Sequence, residues 1–157
     1  MLIRYAIDNY KSFGDIGGFS MIPSNRLQKL KHHITPARSG NEFDVLRGAI
    51  IYGANASGKS NFVESLAFLK KLIAHPVKPK KKNPTHPFRM GREKDASTFE
   101  IEFISNGYSY RYLLAIDSNA ISKEELYLIT PNSQQNIYTR KLGVDENKVS
   151  HWGKSFE

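Results

Sequence analysis

The residues best suited to chemistry stand together at Gly53-Ala54-Asn55-Ala56-Ser57-Gly58-Lys59-Ser60, which satisfies the P-loop pattern G-x-x-x-x-G-K-[ST]. A polyphosphate needs several N–H donors converging on its oxygens, and a glycine-rich loop folded into a nest provides them from its backbone. Gly53 and Gly58 allow the chain to turn through positive φ and approach the phosphates where a Cβ would clash. A helix starting near Lys59 aims unsatisfied N–H groups and the positive end of its dipole at the anion. Lys59 is then the mobile, catalytic charge that reaches the β- and γ-phosphates, and Ser60 the hydroxyl that ligates Mg²⁺. The plainer reading of Lys59 is a solvated lysine at a helix start, which the dipole's positive end disfavours unless an anion is near. Average usage of Gly, Lys and Ser/Thr makes a chance match in a chain this long about a one-in-two-hundred event.

The segments around the loop are those needed to position it. Gly48-Ala49-Ile50-Ile51-Tyr52 is a short apolar run of the kind a buried strand shows. Downstream, the spacing predicts a helix from about Gly58 to His75, with Phe62, Leu66, Leu69 and Ile73 on one apolar stripe that Val63 and Leu72 widen. Glu64, Ser65, Lys70 and Lys71 fall elsewhere, and Pro76 stops the helix.

Before this unit, Leu2 to Asn9 alternates with period 2 and reads as a strand. Gly14, Gly17 and Gly18 punctuate a turn, and Phe19 to Ile22 completes an antiparallel hairpin. Ser24 to Asn41 has no clear period and reads as loop or short helix. Its His32-His33 pair cannot face one metal from a regular helix or strand, and no companion ligand stands at usable spacing.

After the helix, residues 76–96 read as an exposed basic loop, rich in Pro and Lys around Lys78–Lys82. Such a loop is more often a solvated insertion than an interface, and it lacks the interleaved aromatics of a stacking platform. An antiparallel meander follows: Ser97 to Ile104, an Asn106-Gly107 hairpin turn, Tyr108 to Ile116, Ala120 to Thr130, and a weaker strand Ile137 to Leu142 after a polar loop Pro131 to Asn136. Tyr108, Tyr110, Tyr112, Leu114 and Ile116 share a face, read as core packing. Glu124 and Glu125 are adjacent on a strand and so point to opposite faces, which rules against a joint site. The fold class is α/β leaning to α+β, because antiparallel strands stand where small P-loop enzymes continue with further βα units.

The 157 residues make one domain or a piece of a larger one, with 39% hydrophobic and 24% charged residues. No apolar run approaches the roughly 20 residues of a membrane span, so no membrane partner is expected. Met1-Leu2-Ile3-Arg4-Tyr5 does not open a secretory signal, and the absence of cysteine excludes disulfides and thiolate chemistry. A cytoplasmic protein is expected. The net charge of +8 suits nucleic acid or a polyphosphate ligand and decides between them no further.

Gly53-Ala54-Asn55-Ala56-Ser57-Gly58-Lys59-Ser60-Asn61 resembles the G-x-N-G-x-G-K-S-N loop of ABC-type ATPase heads in the SMC, RecF and OLD-like group. Ile7-Asp8-Asn9-Tyr10-Lys11-Ser12-Phe13 resembles their φ-x-N-[FY]-[KR]-S-F first strand. Pro87-Phe88-Arg89, Phe99-Glu100-Ile101-Glu102-Phe103, Tyr110-Arg111-Tyr112 and Glu124-Glu125-Leu126-Tyr127 resemble an AAA-type subfamily within that group. Ala56 departs from the usual glycine of SMC-like loops, as is common in that subfamily. The resemblance implies the N-terminal lobe of a longer ATPase that grips ATP and Mg²⁺ through residues 53–61. Its remaining implications are heads that dimerise or oligomerise around ATP, and a setting in antiviral defence or DNA repair beside a nuclease partner. No apolar Walker B strand ending in Asp-Glu, signature loop or switch His is identified after Ser60. The one strong late apolar run, Leu126-Tyr127-Leu128-Ile129, ends in Thr130-Pro131, and Gln134 and Gln135 are poor Q-loop candidates. The segment alone is therefore expected to bind ATP without efficient hydrolysis. A nucleic-acid-binding module acting through Lys78–Lys82, with the P-loop vestigial or regulatory, is the competing expectation.

Overall fold

A computed structural model describes residues 1–24, 31–36, 44–75, 85–118 and 120–141. The alternating opening forms strand β1 (Leu2–Asp8), which buries Ile3, Tyr5 and Ile7 on one face. The chain returns as β2 (Gly17–Ser20), antiparallel to β1, with Ile7 opposite Gly17 and Arg4 opposite Ser20. The second strand thus starts at Gly17 rather than at Phe19. Its pairing runs through two glycines, which weaken a strand but leave its backbone ladder intact.

Among the described residues, 31–36 and 44–47 hold a short pair of strands that begins inside Ser24 to Asn41, where the sequence suggests loop or short helix. A 3-10 turn at Lys31–His33 leads into β3 (Ile34–Pro36), which pairs with β4 (Asp44–Leu46). Strands of three residues are too short to show a period. Leu46 N–H donates to Met21 O at 2.7 Å, which hangs this strand pair beside the end of β2.

The run 48–52 corrects the expected buried strand. It adopts no strand conformation, and Ile50 and Tyr52 are 90% and 91% exposed. A strand needs a neighbour to satisfy its N–H and C=O groups, and among the described residues none pairs with this run.

Helix α1 (Lys59–Ala74) matches the predicted span, but its buried stripe is rotated. Phe62, Ser65 and Leu69 are buried, whereas Val63 and Ile73 are 59% and 55% exposed. Ser65 enters the core because it has partners there. Tyr5 Oη donates to Ser65 Oγ at 2.9 Å, and the serine hydroxyl donates to Phe62 O at 2.6 Å. Burial pushes the Tyr5 hydroxyl up to about 12, against the opposing effect of that serine.

Beyond α1 come β5 (Ser97–Ser105), β6 (Tyr108–Ile116), β7 (Ile121–Ile129) and β8 (Gln134–Lys141). The six long-range partners form one antiparallel sheet in the order β2-β1-β5-β6-β7-β8. At the β5–β6 turn Asn106 and Gly107 both have positive φ, 50° and 82°, as a tight twisted hairpin requires. β8 begins at Gln134, inside the expected polar loop, because a turn from Thr130 to Ser133 closes it (Thr130 N to Ser133 O, 2.9 Å). Gln134 and Gln135 therefore stand on β8 opposite Ile129 and Leu128. Residues 76–84 of the basic loop, including Lys78–Lys82, and Leu142 lie outside the described residues.

α1 covers one face of this sheet. Tyr5, Ile7, Tyr10, Phe62, Leu69, Phe99, Leu114 and Ile116 form the core, with Tyr10 and Phe68 rings 5.4 and 5.5 Å from Phe99. The other face carries charge ladders: Arg4–Glu102, Arg111–Glu100 and Lys123–Glu125, at 3.3, 2.8 and 3.0 Å. Glu124 and Glu125 do diverge, since Glu124 accepts from Tyr112 Oη at 2.6 Å and pairs with Arg140 at 2.9 Å, while Glu125 pairs with Lys123. The tyrosine face is core at its Leu114–Ile116 end, whereas Tyr110 stacks on Phe103 at 5.5 Å and Tyr108 is exposed.

Phe99 is fully buried at the centre of this layer. Phe99→Ala is expected to lower stability by about 3–5 kcal/mol in urea denaturation, and a loss below about 1 kcal/mol would remove it from the core.

Candidate functional site

α1 begins immediately after Gly58, which has φ of 89° and provides no side-chain cap. A Cβ on Gly58 would stand 2.9 Å from Ser12 Oγ, so both conformation and space call for glycine there. Ala56 is also left-handed, with φ of 63°. An L-residue in that region costs roughly 1–2 kcal/mol, which is a physical reason for the glycine common at this position in similar loops. Ser57 N–H donates to Ala54 O at 3.3 Å and closes the turn between them.

The first bond of the helix runs from Phe62 N–H to Gly58 O at 2.9 Å. The N–H groups of Lys59, Ser60 and Asn61 precede it, no side chain caps them, and the first turn carries no acidic residue. A bare positive helix end therefore adjoins a loop whose residues 53–57 are all exposed. Lys59 bends back over that loop, its Nζ donating to Gly53 O at 2.8 Å and Ala54 O at 2.6 Å, with Ser57 Oγ at 3.5 Å. Two carbonyl dipoles thus hold the ammonium beside the helix start that would otherwise repel it.

These residues fit a polyphosphate: uncapped amide donors, the helix dipole and a tethered cation stand together, and the first helical turn carries no acidic residue. Mg²⁺ fits as a companion of the phosphates. Ser60 offers an exposed hydroxyl next to Lys59, and among the described residues no group of three or more His, Cys, Asp and Glu could hold a metal ion. Mg²⁺ characteristically takes few protein ligands and completes its shell with water and phosphate oxygens.

The side chain of Asn61, the last residue expected at the phosphates, donates through Nδ2 to Ser12 Oγ at 2.8 Å. Lys11 forms an ion pair with Glu64, one turn further along α1. Residues Asn9 to Phe13 therefore stand against the start of the helix. Ser12 and Glu64 escape a reading of local pattern, because their contacts, Ser12–Asn61 and Lys11–Glu64, join residues 49 and 53 positions apart.

The family model described as "AAA domain, putative AbiEii toxin, Type IV TA system" matches residues 49–149. The chain belongs to this AAA-domain family. The match takes in the P-loop, α1 and β5 to β8, and it agrees with a P-loop NTPase fold and a nucleotide-binding, ATPase-like function. No curated protein matches the sequence. Among the described residues, the antiparallel sheet with one α-helix is compatible with a partial α/β lobe of such a fold. No described helix is long and apolar enough to cross a membrane.

β1 lies before the matched region and pairs with β5 inside it, and the loop before β5 seals that joint. Arg92 grips Asp8 with two bonds, at 2.8 and 3.0 Å, and also bonds Asp95 and Gly14 O. The Arg92 guanidinium holds the Asp8 carboxyl below its ordinary value, outweighing partial burial. A carboxylate whose folded pKa is depressed stabilises the fold above its unfolded pKa of about 3.9, and that contribution disappears as pH falls through the lower folded value. Asp8→Asn should accordingly reduce stability at pH 7 and flatten the acid limb of a stability–pH profile. An unchanged acid limb would show that the pair contributes nothing.

Proposed function

We propose that the chain is the ATP-binding lobe of an ABC/SMC-type ATPase head, related to the OLD and RecF group. The observation that carries this reading is Lys59 lying over its own loop beside three uncapped helix amides. Gly53 to Ser60 would cradle the phosphates through backbone N–H groups, Lys59 would neutralise charge on the β- and γ-phosphates, and Ser60 would ligate Mg²⁺. ATP·Mg²⁺ supplies the transferable phosphoryl group. The chain's own residues bind it, orient it and offset its charge. Lys59 is the residue that acts on the reacting phosphate, since a cation there stabilises charge developing in the transition state.

Efficient hydrolysis needs a base and a second wall that residues 53–61 do not provide. The exposed run at Ile50 to Tyr52 and the exposed Val63 and Ile73 on α1 suit packing against further elements of a complete head. We expect completed heads to pair around ATP as a homodimer or higher oligomer in the cytoplasm. The AbiEii toxin and type IV toxin–antitoxin description of the family fits a role in antiviral defence, where a nuclease or nucleic acid would be the natural associate.

Two measurements test this. Lys59→Ala should abolish ATP·Mg²⁺ binding in calorimetry, and an unchanged affinity would overturn the assignment of the site. Purified residues 1–157 should turn over ATP negligibly, and hydrolysis at an ordinary enzymatic rate of about 1 s⁻¹ or faster would reveal a base within this segment.

A further inference from the structure

The turn between β1 and β2 is over-determined for a surface connection. It closes on itself through Tyr10 N–H to Phe13 O and Phe13 N–H to Tyr10 O, at 3.0 and 2.9 Å. Two of its non-glycine residues, Asn9 and Lys11, are left-handed, with φ of 52° and 51°. Asparagine tolerates that conformation and lysine does not readily. Such strain persists only where the surroundings impose it. Here they do. Asn9 is fully buried, and its Nδ2 lies 3.0, 2.9 and 3.3 Å from the carbonyls of Arg92, Asp95 and Ala96. Its Oδ1 accepts Phe88 N–H at 3.1 Å, and its own carbonyl accepts the Ser97 hydroxyl at 2.6 Å. Lys11 N–H donates to His86 O at 2.7 Å.

The result of this bracing is the placement of one hydroxyl. Ser12 Oγ accepts from Asn61 Nδ2 at 2.8 Å and blocks the space beside Gly58, the last glycine of the loop. Lys11 and Glu64 pair one turn further on. The geometry points to the turn 9–13 as a positioning clamp for the phosphate loop, with Ser12–Asn61 as the contact through which it acts. Asn61 is then a positioning residue: it fixes where the helix start and Gly58 stand relative to the sheet, and its amide is engaged by Ser12 rather than by a ligand. This inference rests on the nucleotide-binding reading above.

The test is a double-mutant cycle in the whole chain, with ATP·Mg²⁺ affinity measured by calorimetry and melting temperature measured alongside. Ser12→Ala and Asn61→Ala should each weaken binding about three- to tenfold, the worth of one hydrogen bond. Melting should stay within about 2 °C, because the contact is exposed and small. The double variant should bind no worse than either single one, since both remove the same contact. Ser12→Thr, which keeps the hydroxyl, should bind like the parent. Additive losses, unchanged affinity in the single variants, or failure of Ser12→Thr to bind would overturn the clamp. A melting temperature that falls with affinity unchanged would reduce the contact to a structural one. A parent chain that binds without dependence on Lys59 would instead overturn the nucleotide reading, and this inference with it.

Discussion

A buried primary amide must find partners for two donors and an acceptor, and Asn9 finds them in three carbonyls and one N–H of the segment before β5. An unsatisfied amide at full burial would cost on the order of 1–3 kcal/mol, so the two chain segments are bound to meet. Their meeting lets β1 pair with β2 on one side and β5 on the other. Arg92 repeats the link with charge, gripping Asp8 at the end of β1. The sheet that carries α1 is thus joined near the point where the P-loop helix begins.

The helix docks by shape as well as by apolar content. Ser65 in its buried stripe completes a chain from Tyr5 Oη to Phe62 O, which satisfies a tyrosine hydroxyl inside the core. Aromatic rings then fill both ends of that layer: Tyr5 and Phe19 around Phe62, Tyr10 and Phe68 around Phe99. Because α1 is held along one side by this packing, its uncapped end is presented in a fixed direction. A backbone anion site works only if its donors converge without having to be reorganised.

Much of this was legible in local pattern. The P-loop spacing, the span of α1 and the β5–β6 hairpin depend on residues close in sequence, and Asn106-Gly107 fixes the hairpin register through its backbone preference alone. What local pattern missed depends on distant partners. Ser65 looks polar until Tyr5 is placed against it, and the run 48–52 looks like a strand until its lack of a neighbour among the described residues is seen. β3 and β4 are too short to announce themselves. The Asn9 motif was recognisable by resemblance, yet its reason, a set of bonds across about eighty residues, has no local trace.

The phosphate loop is anchored unequally at its two ends. Gly58 runs into a helix packed on the sheet, while Gly53 follows a run that no ladder holds among the described residues. Ordering one residue's backbone costs about 1–2 kcal/mol, so part of any ligand's binding energy goes into the leading half of the loop. An element that pairs with residues 48–52 would remove that cost beforehand. Assembly could in this way tighten the grip on an anion without adding a single contact to it.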